Sequence, residues 1–479
     1  MEYIIKGRKP ESFFRYFEEI SAIPRKSFHE EKIADYIVNF ARERGLEYYR
    51  DEWHNVLIKM PASKGQEHRA PLLIQGHMDM VCEKELGVEH DFLTDPLDLY
   101  IEDGKYLRAR GTTLGADDGK GVATMLALLD GAIEEHPAYE CLFTSAEEAG
   151  IVNAPKFDFS RISARTLINI DVSNPKYPVF SCSGALRTKI TLPYTTEPMT
   201  MQALCISISG LIGGHAGVHI NSGRANANKI MGRLISALTS LCDVRIVSVD
   251  NESKGSGIPR ECKAILAVPN VDEATAVIRN YADDIATELI PEDKNFNVSV
   301  EPCEAMAMMT REDTARVCGI LACMHVGVFS MCRDVPSIIE YSRSFGTVTT
   351  EKDAISFLIS TRSVKNSKLD SAKNELDAFA AMMGAEIEHY GRYPGWEYHK
   401  ESAVREAYRR VYREIVGEDP VPIGIHAGIE CGVICTAIPN MDAIAIGPSG
   451  ANAHSPKEMM DLDSCESFWL ILRRLIELI

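Results

Sequence analysis

The chain has 479 residues, 45% of them hydrophobic and 25% charged, which is typical of a globular protein and too long for one simple core. A formal net charge of -18 argues against a general nucleic-acid-binding surface, and no stretch of sequence approaches a membrane-spanning length. The first residues, "MEYIIKGRKPESFF", lack the apolar segment of a signal peptide. We therefore expect a soluble cytoplasmic protein of two or more domains, without a nucleic-acid or membrane partner.

The 13 cysteines do not have the spacing of a structural zinc module. No CxxC pair occurs. Cys431 and Cys435 form a Cx3C pair, Cys318 and Cys323 form a Cx4C pair, and neither has the second pair that such a module requires. We expect reduced thiols, most of them in the core.

The first helix is predicted in "SFHEEKIADYIVNFARERG". Ser27 and Glu30 have the spacing of a capping box, a stripe of apolar residues runs from Ile33 to Phe40, and Gly45 is expected to end the helix. From there to about residue 182, short apolar strands alternate with helices. This pattern predicts an α/β sheet, whose ligands bind beyond the carboxyl ends of the strands.

After "FSCSG" the pattern becomes β-rich with amphipathic helices, predicted at 226–241, 272–290, 311–328 and 367–383. The order strand-helix-strand-strand-helix-strand predicts ferredoxin-like units, two of them in tandem. The tail then returns to the first pattern, with helices at 401–415 and 463–478. We expect an α/β catalytic domain with a central mixed sheet, formed by 1–186 and 393–479, and an inserted α+β lid or dimerisation-type domain at 187–392.

Ionisable side chains follow each predicted strand of the sheet domain or open the helix after it. In chain order they are His77, Asp79, Asp117, Asp118, Glu147, Glu148, Asp171 and His454. Each motif alone has an ordinary explanation: an HxD turn, a helix cap in "GADDG", or a solvated "EE" pair. Together they would converge on one crevice, and imidazoles with carboxylates suit zinc or a similar divalent ion.

The motifs in this order resemble those of the co-catalytic dizinc peptidases related to aminoacylase and carnosinase. They are H-M-D near residue 77, G-A-D-D-G near 117, A-E-E-A-G near 147, N-I-D at 171 and A-H-S-P near 454. Within that superfamily, "GTTLGADDGKG", "GGHAGVHI", "GRANANK" and "GIHAGIECG" are similar to the aminoacyl-histidine dipeptidases (peptidase D). The resemblance covers nearly the whole chain.

The resemblance implies two divalent metal ions. Zinc is the predicted ion, with cobalt and manganese as the alternatives. His77 and Asp171 would bind one ion, Glu148 and His454 would bind the other, and Asp117 would bridge both. A bridging carboxylate also suits two ions about 3.5–4 Å apart, because it offsets their repulsion.

Two further acids would assist this centre. Asp79 would fix the tautomer of the His77 imidazole; the alternative interpretation is that Asp79 is only a solvent-exposed acid. Glu147 would act as general base and acid for the metal-bound hydroxide that attacks the peptide carbonyl; its alternative is a side chain that points into solvent. Adjacent residues on a strand point to opposite faces, which fits a division of labour between Glu147 and Glu148.

The inserted domain adds candidates by the same resemblance. His215 would stabilise the oxyanion and Arg362 would clamp the substrate's terminal carboxylate, with a plain loop histidine and a surface ion pair as their alternatives. Glu430 would receive a free α-amine, and His426 is interpreted as structural. Where many relatives carry an Asn-Ala-Ile-Pro-Arg segment, this chain has "GSGIPR", with Ser256 and Gly257 in the first two places, which affects the expected specificity.

The resulting prediction is a cytosolic dinuclear-metal dipeptidase that cleaves free dipeptides, Xaa-His and β-alanyl-histidine among them, after closure of the inserted domain. An N-acyl amino acid amidohydrolase, a broader aminopeptidase of the same mechanism, and a non-catalytic binding homologue stay open. Whether the molecule forms a homodimer also stays open.

Overall fold

The computed structural model describes residues 3–252, 255 and 257–479. The chain divides into two compact units. The first unit is Met1–Cys182, Trp396–Gly424 and Gly428–Ile479, and the second is Ser183–Gly395 and Ile425–Ala427.

In chain order, the helices of the described residues are α1 (Glu11–Ser21), α2 (Glu31–Glu43), α3 (Ala116–Leu129), α4 (Ala227–Thr239), α5 (Val271–Ala286), α6 (Arg311–Cys323), α7 (Asn366–Met383), α8 (Ala403–Val416), α9 (Cys431–Ala437) and α10 (Leu462–Leu478). The strands are β1 (Glu47–Arg50), β2 (Val56–Met60), β3 (Leu72–His77), β4 (Leu99–Glu102), β5 (Tyr106–Ala109), β6 (Tyr139–Thr144), β7 (Thr166–Asn169), β8 (Val179–Cys182), β9 (Gly184–Pro193), β10 (Thr196–Pro198), β11 (Gln202–Ser209), β12 (Gly214–His215), β13 (Arg245–Asp250), β14 (Gly257–Ile258), β15 (Cys262–Val268), β16 (Asn297–Cys303), β17 (Ala307–Met309), β18 (Gly327–Met331), β19 (Ile339–Thr350), β20 (Ala354–Ser363), β21 (Glu386–Tyr393), β22 (Ile423–Ile425), β23 (Asp442–Ala445), β24 (Gly450–Ala451) and β25 (Met459–Asp461). Among these described residues, no helix is both long enough and apolar enough to cross a membrane.

The main sheet of the first unit is mixed, as the sequence predicted. Among the described residues its strand order is β1-β2-β6-β3-β7-β23-β8-β22. β3 runs parallel to β6 and β7, and β23 runs parallel to β7. In contrast, β2 is antiparallel to β1 and β6, and β8 is antiparallel to β23. The parallel strands β3, β6 and β7 are fully or almost fully buried, as expected for strands covered on both faces. Their carboxyl ends therefore share one edge of the sheet.

Helix α3 packs in the core of the first unit. Its sequence, "ADDGKGVATMLALL", has no continuous polar face, and all of its residues except Asp117 are buried. Asp117 and Asp118, at its start, have non-helical backbone angles and are joined by a cis peptide bond. The helix thus anchors a short irregular segment that carries Asp117.

Two βαββαβ sets form the second unit, and the predicted tandem arrangement is wrong. The first set is β11-α4-β13-β15-α5-β16, and its sheet has the strand order β13-β15-β11-β16. The second set uses β9 as its first strand, followed by α6, β19, β20, α7 and β21, with β18 added at the edge of its sheet. Because β9 precedes the first set in the chain, the first set is nested inside the second.

Two local predictions are also wrong. Helix α6 ends at Cys323 rather than near 328, because the chain continues into β18 from Gly327, which has a φ of 102°. Ser27 and Glu30 do not cap α2: Glu30 occupies the N-cap position but its side chain makes no cap hydrogen bond. Ser27 Oγ instead donates to Asp79 Oδ2 at 2.7 Å, and Glu30 Oε1 accepts from the Ala146 N–H at 2.8 Å. Both side chains serve the loops at the sheet edge.

Candidate metal centre

The His77 imidazole lies at the carboxyl end of β3 and is 1% exposed. Its Nδ1 is 3.1 Å from the backbone carbonyl oxygen of Asp79 and 3.4 Å from Asp79 Oδ1. These acceptors assign the proton to Nδ1. The lone pair on Nε2 then faces Asp117 Oδ1 at 3.3 Å and Asp171 Oδ1 at 3.9 Å.

The Asp117 carboxylate lies between two imidazoles. Its Oδ1 faces His77, and its Oδ2 is 3.3 Å from His454 Nε2. His454 Nε2 is also 2.8 Å from Glu148 Oε1. That Glu148 oxygen is buried and has no hydrogen-bond partner of good geometry among the described residues. A buried carboxylate oxygen without a hydrogen bond is costly unless a cation completes its surroundings.

Three groups of side chains each bring one donor atom per residue within 4.8 Å of one another. The first group is His77, Asp117 and Asp171, and the second is Asp117, Glu148 and His454. A third group, His77, Glu147 and Glu148, includes the adjacent glutamate. Nitrogen and carboxylate oxygen donors at this spacing fit zinc or a similar divalent ion, so the residues present suit a metal centre.

Asp79 has more partners than the sequence indicated. It is fully buried, and besides approaching His77 its Oδ1 accepts the Glu147 N–H at 3.1 Å and its Oδ2 accepts the Glu148 N–H at 3.2 Å. Ser27 completes its hydrogen bonds. One carboxylate therefore orients an imidazole and also fixes the turn that presents both glutamates.

The acids at this edge have displaced pKa values. Burial, together with the neighbouring Asp117 charge, raises the pKa of Asp171 well above its usual range. Burial also raises the pKa of Glu147 well above its usual range; His77 opposes the shift, and Glu148 adds to it. For Asp117, burial is outweighed by Lys120, His454 and His77, which hold its pKa well below the usual range. Burial and repulsion from neighbouring acids thus disfavour a charge on Asp171 and Glu147, whereas neighbouring cations favour a charge on Asp117.

Beneath this edge lies a buried polar network that sequence reasoning did not find. Glu430, which is 1% exposed, accepts from Gln75 Nε2 and, at 2.5 Å, from Thr144 Oγ1. Gln75 Oε1 accepts from Asn169 Nδ2 at 2.7 Å, and Asn169 Oδ1 accepts from the Asp171 N–H at 3.1 Å. Burial raises the pKa of Glu430 to about 7. The available signal was the polar residue inside each buried run, in "LLIQGH" and "TLINID".

The remaining predicted site residues lie in the second unit. His215 Nδ1 accepts from the Gly217 and Val218 N–H groups at 3.2 and 3.1 Å. Arg362, 6% exposed, donates from Nη1 to the Tyr393 hydroxyl at 3.1 Å, while its Nε has no hydrogen-bond partner among the described residues. A Cβ added at Gly217 would lie 2.1 Å from the His426 carbonyl oxygen, so only glycine fits there; Arg362 Nε and His215 Cε1 would each be 3.1 Å from that Cβ.

His426 belongs to the same cluster of the second unit. Its Nε2 is 2.6 Å from Ser342 Oγ, and burial, with the Arg362 charge, lowers its pKa to about 3. Gly257, the second position of the altered segment, pairs with His215 between β12 and β14. Ser256 lies outside the described residues.

Comparison with known proteins identifies the family. Residues 73–478 match the model of peptidase family M20/M25/M40. The chain belongs to this family. It is therefore a peptidase of a metal-dependent class, as the sequence predicted.

Two relatives of this M20 peptidase match over nearly the full length. The chain is 33% identical over 475 residues to the cytosol non-specific dipeptidase of Escherichia coli (strain K12), covering 98% of this chain and 97% of that protein. It is 33% identical to the aminoacylhistidine dipeptidase from Vibrio alginolyticus, whose crystal structure matches with a TM-score of 0.90 over 99% of this chain and 97% of that one. Aminopeptidase PepT from Bacillus cereus ATCC 10987 matches at 16% identity and a TM-score of 0.56, a likeness of fold alone.

Proposed function

We propose that this peptidase hydrolyses the peptide bond of free dipeptides at a centre of two divalent metal ions, with zinc as the ion that best suits the donors. The observation that carries the proposal is the pair of donor groups that share Asp117, each with one imidazole and two carboxylates. His77, Asp117 and Asp171 would hold one ion, and Asp117, Glu148 and His454 would hold the other. When bound, such ions polarise the scissile carbonyl and lower the pKa of water to near neutrality.

Glu147 is the proposed general base and acid. It lies outside both of these donor groups, and its backbone is fixed by Asp79. A carboxylate that lies beside the ligands but is not itself a ligand can accept the proton of the attacking water and then return it to the leaving amine. The third donor group is the competing arrangement, in which Glu147 is itself a ligand.

The substrate class rests on the two full-length relatives. One is named a non-specific dipeptidase and the other an aminoacylhistidine dipeptidase. We propose that dipeptides as a class are cleaved, with Xaa-His and β-alanyl-histidine among them. The roles of His215, Arg362 and Glu430 in substrate recognition stay predictions.

We also propose that the protein acts in the cytoplasm. The cysteines form no disulfide among the described residues, which fits a reducing compartment. The name of the Escherichia coli relative agrees with this location.

The proposal is tested by hydrolysis of a panel of free dipeptides and their N-acetyl forms, with metal-free and zinc-reconstituted protein. We expect cleavage of free dipeptides by the reconstituted protein and none by the metal-free protein. Preference for the N-acetyl forms would instead favour an N-acyl amino acid amidohydrolase. Full activity without metal would overturn the mechanism.

A further inference from the structure

The segment that carries Asp117 is held by a carboxylate from the far end of the chain. Glu458 is 3% exposed, and its Oε2 accepts the N–H groups of Leu114 and Gly115, each at 2.8 Å. Its Oε1 accepts the Asp117 N–H at 3.2 Å. The first N–H groups of a helix have no partner within the helix, so Glu458 supplies the acceptor that the Asp117 N–H lacks, and it also binds the two residues that directly precede α3.

A buried guanidinium holds the same segment from the carbonyl side. Arg25 is 1% exposed, and its Nη2 donates to the Gly115 carbonyl at 2.5 Å. Its Nη1 donates to the carbonyls of Met78 and Asp79 at 3.2 and 3.3 Å. One side chain therefore links the loop after His77 to the segment before Asp117.

Gly115 is the point at which both contacts meet. Its N–H is bound by Glu458 and its carbonyl by Arg25. It has a φ of 66°, and a Cβ there would lie 2.5 Å from Arg25 Nη2 and 2.8 Å from Met80 Sδ. The position thus requires glycine for its backbone angle and for the close approach of Arg25.

Burying a full positive and a full negative charge is expensive unless each is hydrogen-bonded. Among the described residues, the side-chain hydrogen bonds of Arg25 and Glu458 all go to backbone groups of residues 78–79 and 114–117. These two segments carry or adjoin His77 and Asp117, the residues whose donor atoms face each other at 3.3 Å. Among the described residues, the side-chain hydrogen bonds that offset part of the cost of these two buried charges therefore all lie at the site.

We infer that Arg25 and Glu458 are positioning residues that set the spacing between His77 and Asp117, so that the metal donors are in place before a metal binds. This inference rests on the proposed metal centre. Partners that orient metal ligands typically change metal affinity by about 10–100-fold when they are removed.

Glu140 provides a matched control. It is likewise a buried glutamate, 3% exposed, and it accepts the backbone N–H groups of Ser163 and Ala164 at 2.9 Å each. It lies near the amino end of β6, at the opposite end of the strand from the site. Glu140→Gln and Glu458→Gln thus each replace a buried carboxylate that accepts backbone N–H groups; Glu140 Oε1 in addition accepts from Ser163 Oγ at 2.8 Å and lies 3.5 Å from Lys59 Nζ.

The experiment is a Co²⁺ titration of metal-free full-length protein, followed by the visible absorbance of the bound ion, with the melting temperature of each metal-free variant measured in parallel. We expect Glu458→Gln to weaken Co²⁺ binding by about 10–100-fold. Glu140→Gln is expected to bind Co²⁺ like the wild type while losing as much melting temperature. Unchanged affinity in Glu458→Gln, or an equal loss of affinity in both variants, would overturn the inference.

A second variant, Arg25→Lys, tests the contact of Arg25 with the backbone carbonyls. It keeps the inference testable even if Glu458→Gln does not fold. The planar guanidinium of arginine reaches the carbonyls of Gly115 and Met78 with two different nitrogens, whereas lysine has a single ammonium nitrogen. Weaker Co²⁺ binding is therefore again expected. Wild-type affinity in Arg25→Lys contradicts the inference. Failure of the wild-type protein to bind Co²⁺ overturns the metal centre itself and is thereby distinguished from failure of the positioning role.

Discussion

Asp313 is buried and Asp171 is partly buried, one in each unit, and their pKa values are displaced in opposite directions. Asp313, in the first turn of α6, accepts from the Thr195 N–H, from the hydroxyls of Thr195 and Thr310, and from Arg316 at 2.7 Å. Burial alone would raise its pKa, but these partners lower the pKa below its usual value. For Asp171, at the edge of the main sheet, burial and the neighbouring Asp117 charge raise the pKa well above its usual range.

The difference shows how far the protein itself supplies the hydrogen-bond and charge partners of the carboxylates in each region. At the start of α6 the fold supplies every partner that a carboxylate needs. At the sheet edge, the fold supplies partners for the backbone but leaves the carboxylates facing one another and two imidazoles. A charged cluster of this kind is stable only when protonated or when a cation from outside binds.

The largest expected effect is that of Asp117→Asn, which removes the carboxylate shared by both donor groups. Metal affinity should fall by more than the about 10–100-fold typical of an indirect partner, and dipeptide hydrolysis should fall with it. Equilibrium dialysis with metal analysis measures the first effect, and initial rates measure the second. Asp313→Asn is the comparison: it should keep full metal content. A variant at Asp117 that retains two ions would contradict the sharing of this residue.

Metal removal should destabilise the protein to a smaller extent. A ligand that binds only the folded state at about 100 times its Kd adds about 2.7 kcal/mol to the free energy of unfolding. Denaturant titrations with zinc and with a chelator measure this difference. The same titrations on Asp117→Asn should give nearly equal midpoints; a zinc effect as large as in the wild type would place the metal elsewhere.

A cap in the second unit should affect stability alone. Asn270 Oδ1 accepts the N–H groups of Asp272 and Glu273 at the start of α5, at 3.0 and 3.3 Å. Asn270→Ala should lower the free energy of unfolding by about 1 kcal/mol and leave metal affinity and kcat unchanged. Urea unfolding and metal titration of one preparation test both parts. Weakened metal binding in Asn270→Ala would contradict the expectation that this cap affects stability alone.

The smallest expected effect is a change in the stability contribution of Asp313, and it is confined to acidic pH. Because the pKa of folded Asp313 is lowered, its contribution to stability is fully present above its unfolded pKa of about 3.9 and is lost as the pH falls through the folded value. The stability difference between wild type and Asp313→Asn should therefore shrink as the pH falls below about 4. Melting temperatures of both proteins across this range provide the measurement. A constant difference would mean that Asp313 is not charged in the folded protein.

Much of the fold followed from local patterns, while long-range partners did not. Helices α4, α5, α7 and α10 lie within a few residues of their predicted positions, because each has its own apolar stripe or cap. The nested order in the second unit was missed because β9 pairs with β20, far along the chain, and a local pattern carries no information about such a partner.

At the site, sequence indicated which ionisable residues meet but not what holds them. His77, Asp117 and Asp171 follow strands or open a helix, and strand ends of a parallel sheet share an edge. Ser27 and Glu30 have the spacing of a true capping box. Their side chains nevertheless bind residues that are distant in the sequence, Asp79 and the Ala146 N–H. Nothing in the spacing distinguishes these two uses of the same residue types.

The division between Glu147 and Glu148 is the central claim, and the metal content of Glu147→Gln and Glu148→Gln tests it most directly. Both variants should be measured for zinc per chain and for dipeptide hydrolysis in the same preparation. We expect Glu147→Gln to keep both ions while losing about 10²–10⁴-fold in kcat, and Glu148→Gln to lose metal. Loss of metal from Glu147→Gln, or near-normal hydrolysis by it, would contradict the claim.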